Sequence, residues 1–77
     1  MNRIRDILNE IKWKAQTTLD DVEIYYIHRG AIYDTKIIKG SEIIDIHKTF
    51  IETAEAMIPH HRIFQIKYKG NVVFKRN

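Results

Sequence analysis

Hydrophobic positions along the 77-residue chain recur first with a helical period and then, over shorter stretches, with the period of strands. Ile4, Ile7, Leu8, Ile11 and Ala15 follow the i, i+3, i+4, i+7, i+11 spacing of one apolar stripe on a helix. Asn2 is its N-cap on this reading, and Trp13, off the stripe, is expected to cover the flank of the core. After a polar connection over 17–21, Val22 to His28 reads as a strand of β-branched and aromatic residues. Its alternation turns Val22, Ile24, Tyr26 and His28 toward the core. Gly30 ends it, and Thr35-Lys36-Ile37-Ile38 follows as a shorter strand that pairs back as a loose hairpin.

Ser41 then suits the N-cap of a second helix, with Glu42 in the first turn. Ile43, Ile46, His47, Phe50, Ala54, Met57 and Ile58 would form its wide inward face, and Pro59 would stop it. Arg62 to Tyr68 is the third strand, with Arg62, Phe64, Ile66 and Tyr68 on one face. Gly70-Asn71 is a two-residue hairpin signal before the returning strand Val72 to Lys75. The expected order is αββαββ, an α+β fold in which two helices lie on one face of a mainly antiparallel four-stranded sheet. Residues 1–77 are expected to form a single domain.

Composition narrows the class. A hydrophobic content of 44% with 30% charged residues is that of a globular protein, not a disordered one. The chain has no cysteine, which excludes disulfides and thiolate metal sites. No apolar run approaches the roughly 18 residues of a membrane span, and the N-terminus alternates charge with isoleucine, unlike a signal peptide. The expectation is a cytoplasmic protein with no membrane partner. The net charge of +3 and pI of about 9.3 are compatible with nucleic acid without requiring it.

The unusual chemistry sits in two His-Arg pairs. His28-Arg29 closes the first strand, and His61-Arg62 opens the third within Ile58-Pro59-His60-His61-Arg62-Ile63. If these strands are antiparallel neighbours, the end of one lies beside the start of the other, about 5 Å across the ladder. His28 and Arg62 would then face the covered side, with Arg29 and His61 outward, unless a bulge exchanges them. Arginine offers a planar fork of donors matched to phosphate oxygens, and histidine can donate a hydrogen bond or exchange a proton near neutral pH. Such a cluster can hold a phosphate or cleave a phosphodiester by acid-base catalysis. The competing reading is structural, with the histidines bonded to backbone and the arginines paired to acids.

Other constellations carry less. His47-Lys48-Thr49-Phe50 matches the H-x-T-hydrophobic signature of two-histidine phosphoesterases, but their mechanism needs two copies on facing strands, and His47 here reads as a helix flank. His28, His60 and His61 lack the acidic or cysteine ligand that a zinc site would add. Tyr25, Tyr26, Tyr33 and Tyr68 could stack bases, although alternating tyrosines in apolar strands more often fill a core. Lys67, Lys69, Lys75 and Arg76 form a basic hairpin end that could follow a phosphate backbone.

Taken in order, Tyr26-Ile27-His28-Arg29-Gly30-Ala31, Lys39-Gly40-Ser41-Glu42-Ile43, Ile58-Pro59-His60-His61-Arg62-Ile63 and Gly70-Asn71-Val72-Val73-Phe74-Lys75-Arg76 resemble a small, mostly archaeal family, the RNA cyclic group end recognition domain. The match runs from about Ile7 to Arg76. Eukaryotic relatives of that domain are attached to RNA-processing proteins, including ones with a two-histidine phosphoesterase domain. The resemblance implies recognition of RNA ends carrying cyclic phosphate or related groups. By position it carries over His28, Arg29, His61 and Arg62, with Arg76 as a fifth phosphate-binding residue. His60 departs from it, standing where the family usually has tyrosine.

Three functions follow as expectations. The first is an RNA-binding domain for phosphate-bearing ends, a 2′,3′-cyclic phosphate among them, with no cofactor, no metal and no catalytic residue. The second is a metal-independent phosphodiesterase using His28 and His61 as acid and base. The third is a non-catalytic adaptor on an RNA-processing protein, which a long exposed apolar strip on the sheet would favour.

Overall fold

The computed structural model describes residues 3–14 and 19–76. Helix α1 spans Arg3–Lys14 and buries Ile4, Leu8 and Ile11 along one stripe, as their spacing dictates. Asn2 and Ala15 lie outside the described residues. Trp13 does not cover the core; it stands in solvent, 84% exposed.

Strands β1 (Val22–Ile27), β2 (Thr35–Lys39), β6 (Ile63–Tyr68) and β7 (Asn71–Lys75) form an antiparallel sheet in the order β2-β1-β6-β7. The expected first hairpin is present, and β1 pairs with β6 from Val22↔Tyr68 to Tyr26↔Ile63. Val22, Ile24 and Tyr26 are buried as their alternation predicts, while His28, just past the strand, is exposed. The β6–β7 turn is centred one residue earlier than expected. Lys69 and Gly70 are its central residues, with φ of 52° and 81° between the paired Tyr68 and Asn71. Two positive φ angles in succession match the right-handed twist of a hairpin, and Gly70 adopts its angle without a Cβ penalty.

A bulge corrects the third strand. Tyr25 faces Gln65, yet Tyr26 faces Ile63, so Phe64 is an extra residue in β6. Ile63 therefore turns into the core beside Ile66, both fully buried, and Arg62 is not core-facing but exposed.

The second helix does not form. Residues 43–59 instead make β3 (Ile43–Ile46), β4 (Phe50–Thr53) and β5 (Met57–Pro59), a second antiparallel sheet in the order β3-β4-β5. The fold is α+β, but among the described residues one α-helix and a three-stranded sheet stand in place of the two expected helices. The physical cause is the density of β-branched residues, Ile43, Ile44, Ile46, Thr49, Ile51, Thr53 and Ile58, whose stiff χ1 angles suit a pleated surface. Two turns complete it: the His47 amide donates to the Phe50 carbonyl (2.9 Å), and the Ala56 amide to Thr53 Oγ1 (3.0 Å). Before β3, the Lys39 amide donates to Glu42 Oε2 at 2.8 Å and closes a single 3₁₀ turn over Gly40–Glu42 where Ser41 was expected to cap a helix. Gly40 packs so closely on Leu19 that a Cβ would fall on the Leu19 carbonyl oxygen and within 2.6 Å of its Cβ. Pro59, lacking an amide hydrogen, ends β5 at the sheet edge, where no donor is required.

Ile46, Ile51 and Ile58 from the second sheet join Ile4, Leu8 and Ile11 of α1 and the inner face of the first sheet in one hydrophobic cluster. The helix packs against β3 and β7. The start of α1, the β3–β4 hairpin, the entry to β6 and the end of β7 thereby converge.

Candidate functional site

At that convergence lies an open depression of about 500 Å³. Arg3 and Ile4 of α1, Lys48 and Thr49 of the β3–β4 hairpin, His60 and His61 before β6, and Arg76 after β7 line it. Among these described residues there are three permanent cations and no carboxylate.

His60 and His61 reach the depression from the 3₁₀ turn His60–Arg62, which is held from two sides. The His60 amide donates to the Thr49 carbonyl at 2.9 Å, which ties the turn to the β3–β4 hairpin. Arg76 Nη1 donates to the His61 carbonyl at 2.9 Å, which ties it to β7. Phe74, buried two residues before Arg76, carries two guanidinium groups over its ring, Arg76 at 5.5 Å and Arg3 at 5.7 Å. The ring quadrupole offsets part of the cost of gathering like charges, and an anion between them would offset more. The first turn of α1 adds the positive end of a helix dipole on the same side.

Among the described residues His60 is the buried polar one, 8% exposed. Burial pushes its imidazole below the ordinary value of 6.5, a hydrogen bond with the Phe50 backbone pulls the other way, and the Arg5 charge lowers it further. His60 is therefore a neutral wall at pH 7, and the positive charge of the depression comes from Arg3, Lys48 and Arg76.

The two His-Arg pairs do sit at the same end of the β1–β6 ladder. They open into different depressions, however. His61 borders the basic one, whereas His28 borders a groove of about 500 Å³ between β2 and the second sheet, with Tyr26, Lys36, Ser41 and Glu55. Arg29 and Arg62 are exposed and line neither. Arg76 and His61 are thus brought together among the five sequence-derived residues, and Arg62 follows His61 on its turn.

Sequence reasoning passed over Arg3, Lys48 and Thr49. Arg3 lies off the apolar stripe of the first helix, and Lys48-Thr49 fell within the expected second one. The signal for the latter was the H-x-T motif itself. It lies at a hairpin, with His47 Nε2 2.8 Å from Glu52 Oε1 and the His47 ring stacked on Phe50 at 4.4 Å. Among the described residues no group of three or more histidine, aspartate or glutamate side chains is placed to hold a metal ion. No helix among them is long and apolar enough to cross a membrane.

The match to known families covers this whole arrangement. The model of the MJ1316 RNA cyclic group end recognition domain matches residues 1–76. The chain belongs to this family. Among its relatives, a UPF0248 protein of Methanococcus vannielii is 33% identical over 75 residues, covering 95% of this chain and 90% of the relative. A UPF0248 protein of Saccharolobus islandicus is 32% identical over 79 residues, with 96% and 99% covered. UPF0248 protein MJ1316 of Methanocaldococcus jannaschii is 29% identical over 75 residues, with 95% and 92% covered. No solved structure matches the chain significantly. The family to which the chain belongs is thus an archaeal one in these relatives, and it carries RNA cyclic group end recognition in its name.

Proposed function

We propose that this chain is an RNA-binding domain that recognises phosphate-bearing RNA ends, 2′,3′-cyclic phosphates among them, in RNA processing. The observation that carries the reading is the depression where Arg3 and Arg76 share the Phe74 ring beside Lys48 and His61. Guanidinium forks supply charge and paired donors to phosphate oxygens, and His61 and Thr49 supply directional hydrogen bonds. Arg62, on the same turn, and the exposed His28 and Arg29, at the same end of the ladder, meet the adjoining backbone. The family name supports the RNA and the cyclic group; the donors in the depression support the phosphate.

The phosphodiesterase reading draws less support. His28 and His61 border different depressions, and the neutral, buried His60 is part of a wall. The adaptor reading has one observation in its favour. The outer face of the four-stranded sheet exposes Ile27 and Ile37 beside the half-buried Tyr25 and Phe64, an apolar strip suited to a protein partner in RNA processing.

An end-group titration tests the proposal. One short RNA is given a hydroxyl, a linear phosphate or a 2′,3′-cyclic phosphate at its 3′ end, and binding and turnover are followed together. Tighter binding of the phosphate-bearing ends, without turnover, is expected. With about three phosphates neutralised on a single strand, log affinity should fall against log salt with a slope of about −2. Opening of the cyclic phosphate by the wild type would favour the enzyme, and absence of RNA binding at low salt would favour the adaptor.

A further inference from the structure

A second depression of about 420 Å³ adjoins the basic one, and its character is different. Thr49 and His61 line both; the remaining walls are Phe50, Met57 and Pro59. Phe50 pairs with Pro59 across β4 and β5, and Glu52 with Met57, so these residues share the outer face of the second sheet. The intervening Ile51↔Ile58 pair faces the core. Met57 is 69% exposed, a large apolar side chain left to solvent at the rim. Phe50 is held in place from the side: His47 stacks on one face of its ring, 4.4 Å away at 22°, and is itself fixed by Glu52 at 2.8 Å. His47 does not line the depression, which leaves the rest of the Phe50 ring to it.

We infer that this apolar depression receives the nucleobase of the terminal nucleotide whose phosphate occupies the basic one, an inference that rests on the proposed function. In a nucleotide the anion and the flat aromatic base are joined through one ribose, so a site for the first needs a place for the second beside it. A cation-rich depression sharing two walls with an apolar one has that polarity. Thr49 and His61, on the boundary, are placed for the ribose oxygens and the phosphate. Phe50, Met57 and Pro59 offer an aromatic ring, a polarizable sulfur and a flat apolar surface, which stack on a base without reading its edge. The site therefore requires a base and is tolerant of which base it is.

The test compares two short RNAs, each ending in a 3′-phosphate, whose last nucleotide carries adenine or is abasic. Wild-type protein should bind the adenine-ended RNA at least about fivefold more tightly, the lower end of what stacking one base contributes. Met57→Ser, at an exposed position that leaves the fold intact, should reduce this preference, and Phe50→Ala should abolish it. Neither should alter affinity for the abasic RNA. Equal wild-type affinity for the two RNAs, with phosphate still preferred over hydroxyl, overturns the base site and leaves the phosphate reading standing. Adenine preference without any preference for phosphate would overturn the phosphate reading and, with it, the assignment of this depression to the base of the phosphate-bearing nucleotide.

Discussion

Replacing Arg3 and Arg76 together by alanine is expected to weaken binding of a 3′-phosphate-ended RNA about a hundredfold, with little effect on the hydroxyl-ended RNA. A hydrogen bond to a charged group contributes about 1.5–3 kcal/mol, so each guanidinium removed should cost about tenfold or more. The two losses will not simply add, because both groups lie over the Phe74 ring and removing one frees the ring for the other. Both residues are exposed, and their substitution should change stability by no more than about 1 kcal/mol, the larger share from the Arg76 bond to the His61 carbonyl. Arg76→Lys separates charge from geometry: it keeps the cation, loses the planar fork and should recover only part of the affinity. Arg29→Ala and Arg62→Ala, whose side chains line neither depression, should stay within about threefold of wild type, as expected of charges on a solvated rim. A double variant within twofold of wild type would remove the basic depression from the account.

The second large effect concerns the fold. Ile51→Ala should cost about 2–5 kcal/mol, read as a shift of the urea midpoint, because Ile51 is fully buried in the cluster shared by both sheets and α1. Folded domains keep roughly 0.05–0.15 kcal/mol per residue, so in a chain of 77 this is a large share of the total. Met57→Ala, at a mostly exposed position, should cost no more than about 0.5 kcal/mol. A helix from Ser41 to Ile58 would reverse the order, since its inward stripe includes Met57 and omits Ile51. The two substitutions therefore decide between the two architectures.

That reversal marks where local pattern is ambiguous. Ile46, Phe50 and Ala54 recur at helical spacing, and short apolar runs fit either period. What the spacing does not carry is the cross-strand partner, Ile51 against Ile58, which buries the alternate set. The strands of the first sheet were legible because Val22, Ile24 and Tyr26 alternate without competition, and α1 because its stripe is narrow and regular. The bulge at Phe64 was not legible: nothing local to Ile63-Phe64-Gln65 says that two residues will oppose one, and this single insertion moved Arg62 out of the core face. For the candidate site, the sequence offered His61 through the second His-Arg pair and Arg76 through the basic hairpin end and the family resemblance. Arg3, Lys48 and Thr49 come from elements far apart in the chain, and only the tertiary fold places them at the His60–Arg62 turn.

The most direct measurement is the position of the RNA end on the protein. Backbone and imidazole resonances can be followed while a short 3′-phosphate-ended RNA is titrated into labelled protein, with the hydroxyl-ended RNA as reference. The proposed function predicts that the phosphate-dependent shifts concentrate at Arg3, Ile4, Lys48, Thr49, His60, His61 and Arg76, the walls of the basic depression. Phosphate-dependent shifts concentrated instead at His28, Lys36 and Ser41, in the groove between β2 and the second sheet, would contradict it.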